Sequence, residues 1–336
     1  SDAYFQENYG PEFVNALKQD RMSLYSADLL RSSFFIIVVS GVLWLSMKEK
    51  VAQNTAIIIV GLLMVSDLFF VDKNYVSAKD FVRGSQVEAP FQETPSDAEI
   101  LKDTSHYRVF EVSGNLSSAR ASYFHKSIGG YSAVKPRRMQ QLFDYQIANN
   151  NMEVLNMLDV KYVIQTDKTG KEFPTSNPKA NGNAWFVSQV KLVNSADEEM
   201  KALKGLDSKN VALVNSNDFK IKNTAFAKDN SARIILETYK PNYLKYVSNN
   251  ANEGLAVFSE MYYGKGWNAY IDGKSVDHIR VDYVLRGLNI PAGKHTIEFK
   301  FEPQVIKTGS MITLISSIGM LLLLAGGIYF ERKKKI

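Results

Sequence analysis

Three apolar runs interrupt an otherwise polar chain and predict helices that cross a membrane. They lie at residues 32–47, 55–71 and 309–330. The last run holds no charged residue, and its length suits the ~20 helical residues that span a hydrocarbon core of about 30 Å. Leu29 and Leu30 lengthen the first run if the long side chain of Arg31 extends to the interface.

The short connection at residues 48–54 forces the first two helices into an antiparallel hairpin. Lys48 and Lys50 in this loop, and the basic cluster at residues 332–335, are typical of cytoplasmic ends, which carry an excess of Lys and Arg. We therefore expect residues 72–306 to lie outside the cytoplasm.

Asp67 is an acidic residue inside the second apolar run. An ionisable group within a span is a functional candidate, because a charge in lipid costs free energy. The simpler alternative is placement at the outer interface, since Asp67 lies close to the end of the run. Asp67 is thus a candidate intramembrane acid for which the interfacial interpretation is favoured.

A second pattern, the alternation of apolar and polar residues, dominates the chain after residue 231. In residues 296–302 every second side chain is apolar, which is the period of a half-buried strand. Asp272-Gly273 and residues 291–293 are turn signals, because glycine adopts positive φ at little cost. Successive strands of this kind predict a small antiparallel β-sandwich over residues 232–305.

Residues 72–231 mix helical and strand patterns and predict an α+β domain. Capping-box spacing predicts helices that begin after Ser96 and after Ser195. Helical character is also present at residues 144–158. The predicted strands are residues 107–112, 160–165, 185–193 and 211–215.

Together these patterns predict a membrane protein of the α+β class. The predicted order is an outer juxtamembrane helical segment (1–28), a transmembrane helical hairpin (29–71), an extracytoplasmic α+β domain (72–231), a β-sandwich domain (232–305), a C-terminal transmembrane helix (306–330) and a basic cytoplasmic tail (331–336). The chain begins with Ser and has no signal-peptide pattern, so we expect it to be part of a longer protein.

Charge and cysteine content argue against two classes of function. The net charge of +5 at pH 7 lies mainly in the tail, so the outer region lacks the strong positive charge of nucleic-acid-binding domains. The chain has no cysteine, and its 4 histidines have no metal-ligand spacing. We expect no nucleic-acid partner, and neither a metal site nor a cofactor in this chain.

No pattern nominates a catalytic residue. Transferases that use nucleotide sugars or polyprenyl phosphates commonly hold a divalent cation with an acidic pair. The two matches, Asp97 with Glu99 and Asp197 with Glu199, fall in the first turns of predicted helices. Acidic side chains complement the helix dipole there, and we interpret both pairs in that way.

Two groups of side chains are binding candidates. The first group is Trp267, Tyr270, Tyr283 and Arg286. Its rings could stack on the C–H faces of a sugar, although the favoured interpretation is that these aromatic residues cover a core. The second group, Arg137 and Arg138, could contact the phosphate of an anionic lipid-linked substrate. The favoured alternative is an ordinary solvated basic pair.

Several segments together resemble the C-terminal part of bacterial YfhO-like membrane proteins. They are GWNAYIDGK at residues 266–274, PAGKHTIEF at 291–299, GGYS at 129–132 and LNMLDVKYVI at 155–164. The resemblance extends over most of the chain through the order and spacing of these segments.

The resemblance implies a relative of GT-C-type glycosyltransferases, which transfer sugars from polyprenyl-phosphate carriers to cell-envelope polymers. The presumed catalytic loop, with any divalent cation, belongs to upstream spans. Implied partners are membrane lipid, those upstream helices, a polyprenyl-phosphate sugar and an envelope glycan that the outer domain positions. The implied location is the bacterial cytoplasmic (inner) membrane, with the large domain outside. The alternative is a non-catalytic membrane-anchored envelope protein that binds polysaccharide or scaffolds a partner complex.

Overall fold

The computed structural model of the chain describes residues 2–334, so the predicted basic tail lies partly outside the described residues. The chain divides into two compact units, one that ends at Pro90 and one that begins at Phe91. The helices are α1 (Asp2–Tyr9), α2 (Pro11–Met47), α3 (Gln53–Asp72), α4 (Gly84–Glu88), α5 (Pro95–Ile100), α6 (Ala119–Phe124), α7 (Arg137–Leu142), α8 (Met152–Met157), α9 (Ala196–Ala202) and α10 (Gln304–Lys334), with a 3-10 turn at Ala78–Asp80 and a π-helical turn at Phe143–Ile147.

The strands occupy the second unit. They are β1 (Arg108–Glu111), β2 (Val160–Thr166), β3 (Glu172–Ser176), β4 (Ala184–Val187), β5 (Gln189–Val193), β6 (Val211–Asn215), β7 (Arg233–Lys240), β8 (Tyr243–Asn250), β9 (Gly254–Met261), β10 (Trp267–Ile271), β11 (Lys274–Val276), β12 (Ile279–Val281), β13 (Leu285–Ile290) and β14 (Gly293–Phe301). The mixture of helices with mainly antiparallel sheets confirms the predicted α+β class.

Helices α2, α3 and α10 are long and apolar enough to cross a membrane, as the three apolar runs predict. The first differs from its prediction, since α2 continues without a break from Pro11 through the polar stretch assigned to an outer segment. Gly10, at φ 86°, separates α1 from α2, and Pro11 begins the helix. No glycine or proline follows before Gly41 to end it.

An ion pair links the two helices of the hairpin. Arg31 Nε lies 3.5 Å from Asp67 Oδ1, and Arg31 Nη2 donates to Asp28 Oδ1 at 2.6 Å within α2. The Arg31 side chain is 29% exposed and that of Asp67 is 36% exposed, so the pair is partly shielded even without lipid. Asp67, the candidate intramembrane acid, therefore has a cationic partner on the neighbouring helix.

A double-mutant cycle tests whether this pair stabilises the hairpin. Because each single change, Arg31→Gln or Asp67→Asn, leaves one charge without its interhelical partner, we expect the double variant to lose about 1 kcal/mol less than the sum of the single losses. The measurement is unfolding of the whole chain in detergent micelles, followed by helical circular dichroism. Asp72→Asn with Arg31→Gln is the control cycle and should be additive. Additivity in both cycles would contradict the stabilising role.

The first part of the second unit contains a three-stranded sheet in the order β1-β2-β3, with β1 and β2 parallel. The helix predicted to begin after Ser96 begins earlier: Thr94 caps it, and Pro95 occupies its first turn. Ser195, in contrast, caps α9 as predicted, accepting from Glu198 N at 3.1 Å.

Two other predicted elements are divided in the structure. The helix predicted at residues 144–158 is interrupted at Asn150, whose φ of 60° is incompatible with a right-handed helix. The single strand predicted at residues 185–193 is two strands, β4 and β5, which join different sheets on either side of Ser188.

Two antiparallel sheets follow, one in the order β11-β10-β14-β8-β7 and one in the order β12-β13-β9-β4. Both contribute to a shared core, in which Phe258 of β9 packs against Tyr246 of β8 and Phe299 of β14 with ring centroids 4.9 Å apart in each pair. Strand β4 lies before the predicted domain boundary at residues 231 and 232, and its partner β9 lies after it. One sheet therefore contains strands from both predicted domains.

Candidate functional site

A cleft of about 500 Å³ lies in the second unit, where the ends of several strands converge. We call it the arginine–aromatic cleft. Its defining side chains are Arg108, Glu260, Tyr263, Trp267, Arg286 and Phe301. One wall comes from the start of β1 with α7 and the end of α8, and the other comes from β9, β10, β13 and β14.

An irregularity in strand pairing directs side chains into this cleft. Leu285 of β13 pairs with Met261, whereas the next residue, Arg286, pairs with Phe258, so two residues of β9 are left between these pairs. Consecutive side chains of a regular strand point to opposite faces, but Leu285 and Arg286 both line the cleft. A bulge of this kind redirects side chains locally and explains the departure from alternation.

The Arg108 side chain is held firmly at one wall. Its Nη2 donates to Glu260 Oε1 at 2.7 Å, and its Nη1 donates to the carbonyl oxygens of Leu158 (3.1 Å) and Ser259. The side chains of Arg108 and Glu260 are only 16% and 14% exposed. This ion pair joins the start of β1 to the end of β9. Because it is mostly shielded from water, it is stronger than an exposed ion pair.

Arg286 lies deeper and is only 2% exposed. Its Nε donates to Met261 O at 2.8 Å, and its guanidinium carbon lies 4.2 Å from the Trp267 ring centroid and 5.0 Å from that of Phe299. Its buried Nη1 has no hydrogen-bond acceptor among residues 2–334. Burial lowers the pKa of Arg286 to about 10, which leaves the guanidinium charged at neutral pH.

The four predicted glycan-binding residues do not form one platform. Trp267 and Arg286 are stacked together in the cleft. Tyr270 lies on the opposite face of β10, because an odd number of positions separates it from Trp267, and its hydroxyl donates to Glu302 Oε2 at 2.9 Å. Tyr283 is buried in a separate cluster beside α9. Glycan binding by each of them stays a prediction.

The predicted arginine pair is also separated. Arg137 is exposed at the start of α7. Arg138 stacks on the Tyr283 ring, with 4.5 Å from its guanidinium carbon to the centroid, and lies 3.5 Å from Glu199 Oε2. One member of the pair is thus available to solvent, and the other is committed to packing.

This region of the chain is similar to a known protein family. Residues 199–313 match the family model described as bacterial membrane protein YfhO. Over these residues the chain is similar to the YfhO family. This confirms the family resemblance over about a third of the chain, and the matched range includes Glu260, Trp267 and Arg286 of the cleft together with the first part of α10. The same comparisons found no match among curated proteins or solved structures.

The matched range also contains two buried acids, Asp282 and Glu199. Sequence reasoning missed Asp282 and gave Glu199 only a role at the helix dipole. Asp282 is fully buried, and its Oδ1 accepts from Leu213 N at 2.8 Å while its Oδ2 has no partner among the described residues. Glu199, likewise fully buried, accepts from Tyr283 N at 2.9 Å. Burial raises the pKa of Asp282 to about 8, with a further contribution from Glu199, and burial also raises the pKa of Glu199.

A third polar cluster is built around Arg120. Its guanidinium pairs with Asp97, with Glu111 at 3.1 Å and with Glu172 at 3.2 Å, and His125 Nε2 lies 2.9 Å from Asp97 Oδ1. Asp97 therefore pairs with buried cationic and polar groups as well as completing the helix cap. Within residues 2–334 no group of three or more His, Cys, Asp or Glu side chains is arranged to hold a metal ion.

The raised pKa of Asp282 predicts a pH dependence of stability. Because the folded state binds this proton more tightly than the unfolded state, the contribution of Asp282 to the free energy of unfolding should fall as pH rises from about 4 to about 8, with a slope of up to about 1.4 kcal/mol per pH unit. Asp282→Asn keeps the acceptor for Leu213 N and tolerates the φ of 48°, so it should remove this slope. The wild-type profile also includes His106 and His278, whose lowered pKa values give the opposite slope, so the Asp282 contribution is the difference between the wild-type and variant profiles.

The measurement is denaturant unfolding of both proteins in micelles at a series of pH values. Asp144→Asn, which removes an exposed carboxyl group of the π-helical turn, is the matched control and should keep the wild-type slope. Parallel wild-type and Asp282→Asn profiles would show that Asp282 does not carry the effect.

Proposed function

We propose that this chain is the C-terminal portion of a membrane glycosyltransferase-like protein that uses a polyprenyl-phosphate-linked sugar to modify an envelope glycan. The outer region positions the acceptor, and the chemistry belongs to upstream helices of the same protein. The coarser part of this conclusion, a membrane-associated and envelope-related role, follows from the YfhO match and the three apolar helices.

The observation that carries the proposal is the position of the arginine–aromatic cleft along the chain. Trp267, the first residue of β10, pairs with Phe301, the last residue of β14. Only Glu302 and Pro303 separate Phe301 from Gln304, where the last apolar helix begins. A ligand in the cleft is therefore held within a few residues of the point at which the chain enters lipid, which suits a substrate carried on a membrane anchor.

The composition of the cleft supports recognition of a sugar. Trp267 and Phe301 have ring centroids 5.3 Å apart and Tyr263 is 52% exposed, so aromatic surface is available beside the arginines. Ring faces suit the C–H faces of sugars, and guanidinium groups suit their oxygen substituents. The cleft offers binding groups rather than a nucleophile with an adjacent base, which supports a role in positioning.

The proposed orientation places the loop between α2 and α3 in the cytoplasm and residues 72–306 outside. Because the native chain has no cysteine, single cysteines report accessibility directly. A membrane-impermeant maleimide should label a Lys274→Cys variant in intact cells, since Lys274 is exposed at the start of β11. The matched Lys50→Cys variant should be labelled only after permeabilisation. The reverse pattern would overturn the orientation.

The role of the cleft is tested in cells that express the full-length protein. Trp267→Leu removes the ring but keeps an apolar side chain, and we expect it to reduce the sugar content of envelope polymers about tenfold, as loss of a stacking contact of 1–1.5 kcal/mol would do at limiting affinity. Tyr145→Leu, which removes an exposed ring of the π-helical turn outside the cleft, is the matched control and should keep the wild-type glycan content.

Glycan composition by mass spectrometry and protein abundance in the membrane fraction are measured together. A strain that lacks the whole gene should show the same loss as Trp267→Leu or a larger one. If deletion leaves envelope glycans unchanged while the protein still binds polysaccharide, glycosyl transfer is excluded and the non-catalytic binding function replaces it.

A further inference from the structure

Arg286 is a buried cation with unused hydrogen-bonding capacity. Among the described residues, its guanidinium forms no ion pair, and its one hydrogen bond is from Nε to a backbone carbonyl. The rings of Trp267 and Phe299 partly compensate the charge by cation–π attraction. They do not accept hydrogen bonds from the Nη groups in the way that an oxyanion does. Buried charges in proteins are normally paired, so this one indicates an absent partner.

The surroundings of Arg286 have an excess of positive charge. Glu260 is the nearest acid in the cleft, but its carboxylate is engaged by Arg108 Nη2 at 2.7 Å. Among the residues that line the cleft, two arginines therefore face one paired carboxylate, and an anionic ligand would balance them.

We propose that the arginine–aromatic cleft binds a phosphate group through the Nη donors of Arg286, with the Trp267 ring as the adjoining wall. This inference rests on the proposed function in that the phosphate belongs to the substrate held beside α10. The phosphate ester comes from a lipid headgroup or from a soluble molecule, and both present the same chemistry to Arg286.

The geometry suits phosphate in three respects. A guanidinium presents planar, paired N–H donors that match a phosphate oxygen pair. The volume of about 500 Å³ exceeds that of a phosphate alone and leaves room for an attached sugar or glycerol unit. Phe301 of the cleft lies three residues before the start of α10, which is long and apolar enough to cross a membrane, and lipid phosphates are concentrated at the ends of such helices.

The competing interpretation is that Arg286 only fills space between two rings. The Arg286→Met variant distinguishes the space-filling role from the phosphate-binding role, because methionine occupies a similar volume between Trp267 and Phe299 without a charge. Replacement of an unpaired buried charge by an apolar side chain is often neutral or stabilising. We therefore expect Arg286→Met to keep the wild-type melting temperature in the absence of phosphate and to lose phosphate binding.

The experiment uses the whole chain in nanodiscs. In the soluble arm, the discs contain phosphatidylcholine alone and glycerol 1-phosphate is titrated by calorimetry. A second readout is the fluorescence of Trp267 in a protein in which Trp44 and Trp185 are replaced by Phe. In the lipid arm, melting temperature and fluorescence are compared between phosphatidylcholine discs and discs that also contain phosphatidic acid. Arg286→Met should weaken the response about tenfold or more, and Arg286→Lys should be intermediate.

The matched control is Arg233→Gln, which removes an exposed arginine bonded only to backbone carbonyls. It should respond as the wild type does. A response to glycerol 1-phosphate identifies a soluble ester, and a response to phosphatidic acid alone identifies a lipid headgroup.

Three results would overturn the proposal. They are no response of the wild type in either arm, an undiminished response of Arg286→Met, and an equal response of the wild type to acetate. If Arg286→Met does not fold, the wild-type and Arg286→Lys titrations decide the outcome. Failure of phosphate binding while Trp267→Leu still reduces envelope sugar would reject this inference and leave the proposed function intact. Phosphate binding together with unchanged envelope glycans after gene deletion would reject the proposed function and leave the phosphate site intact.

Discussion

The fold of the second unit depends on the pairing of β9 with β13. Strand β9 carries Phe258 into the core between the two sheets and also pairs with β4 from an earlier part of the chain. Its end turns towards the three-stranded sheet, where the Ser259 hydroxyl lies 2.9 Å from Met157 O and Glu260 pairs with Arg108. One strand thus joins the cores and forms a wall of the cleft, so the geometry of the cleft depends on the register of this pair.

The irregular register has a direct chemical consequence. With regular pairing, Leu285 and Arg286 would face opposite sides of the sheet. The bulge lets both line the cleft, and it places a charged side chain between Trp267 and Phe299 instead of in water. A stable fold does not require this arrangement, because apolar side chains would fill the same space at less cost. Local conflicts with the rules of burial are expected where a protein binds something.

The second unit contains two kinds of buried ionisable group, and they lie in different places. Arg286 belongs to an electropositive cleft that is open to ligand. Asp282 and Glu199 form a buried acidic pair between α9, β6 and the turn before β13, where burial favours the protonated form of Asp282. The first arrangement attracts an anion, whereas the second links the folded state to pH. Both lie within the YfhO-like range, but they call for different physical interpretations.

The sequence alone determined the features that depend on local periodicity. Apolar runs long enough to span lipid predicted α2, α3 and α10, and alternation predicted the buried face of β14 at Ile297 and Phe299. Capping at Ser195 was also readable, because it uses contacts within one turn. At Thr94 the same local signal was misread by two positions, since Ser96 offered a competing match.

Tertiary structure decided what depends on residues distant in the chain. Trp267 and Arg286 meet because β10 and β13 belong to different sheets that share a core, and Arg138 meets Tyr283 across a long stretch of chain. The pairing of Arg31 with Asp67 likewise needs two helices side by side. Periodicity states which face of an element is buried, but it does not state which other element covers that face. For this reason the sequence identified Trp267 and Arg286 as candidates, and only the fold brought them into one cleft.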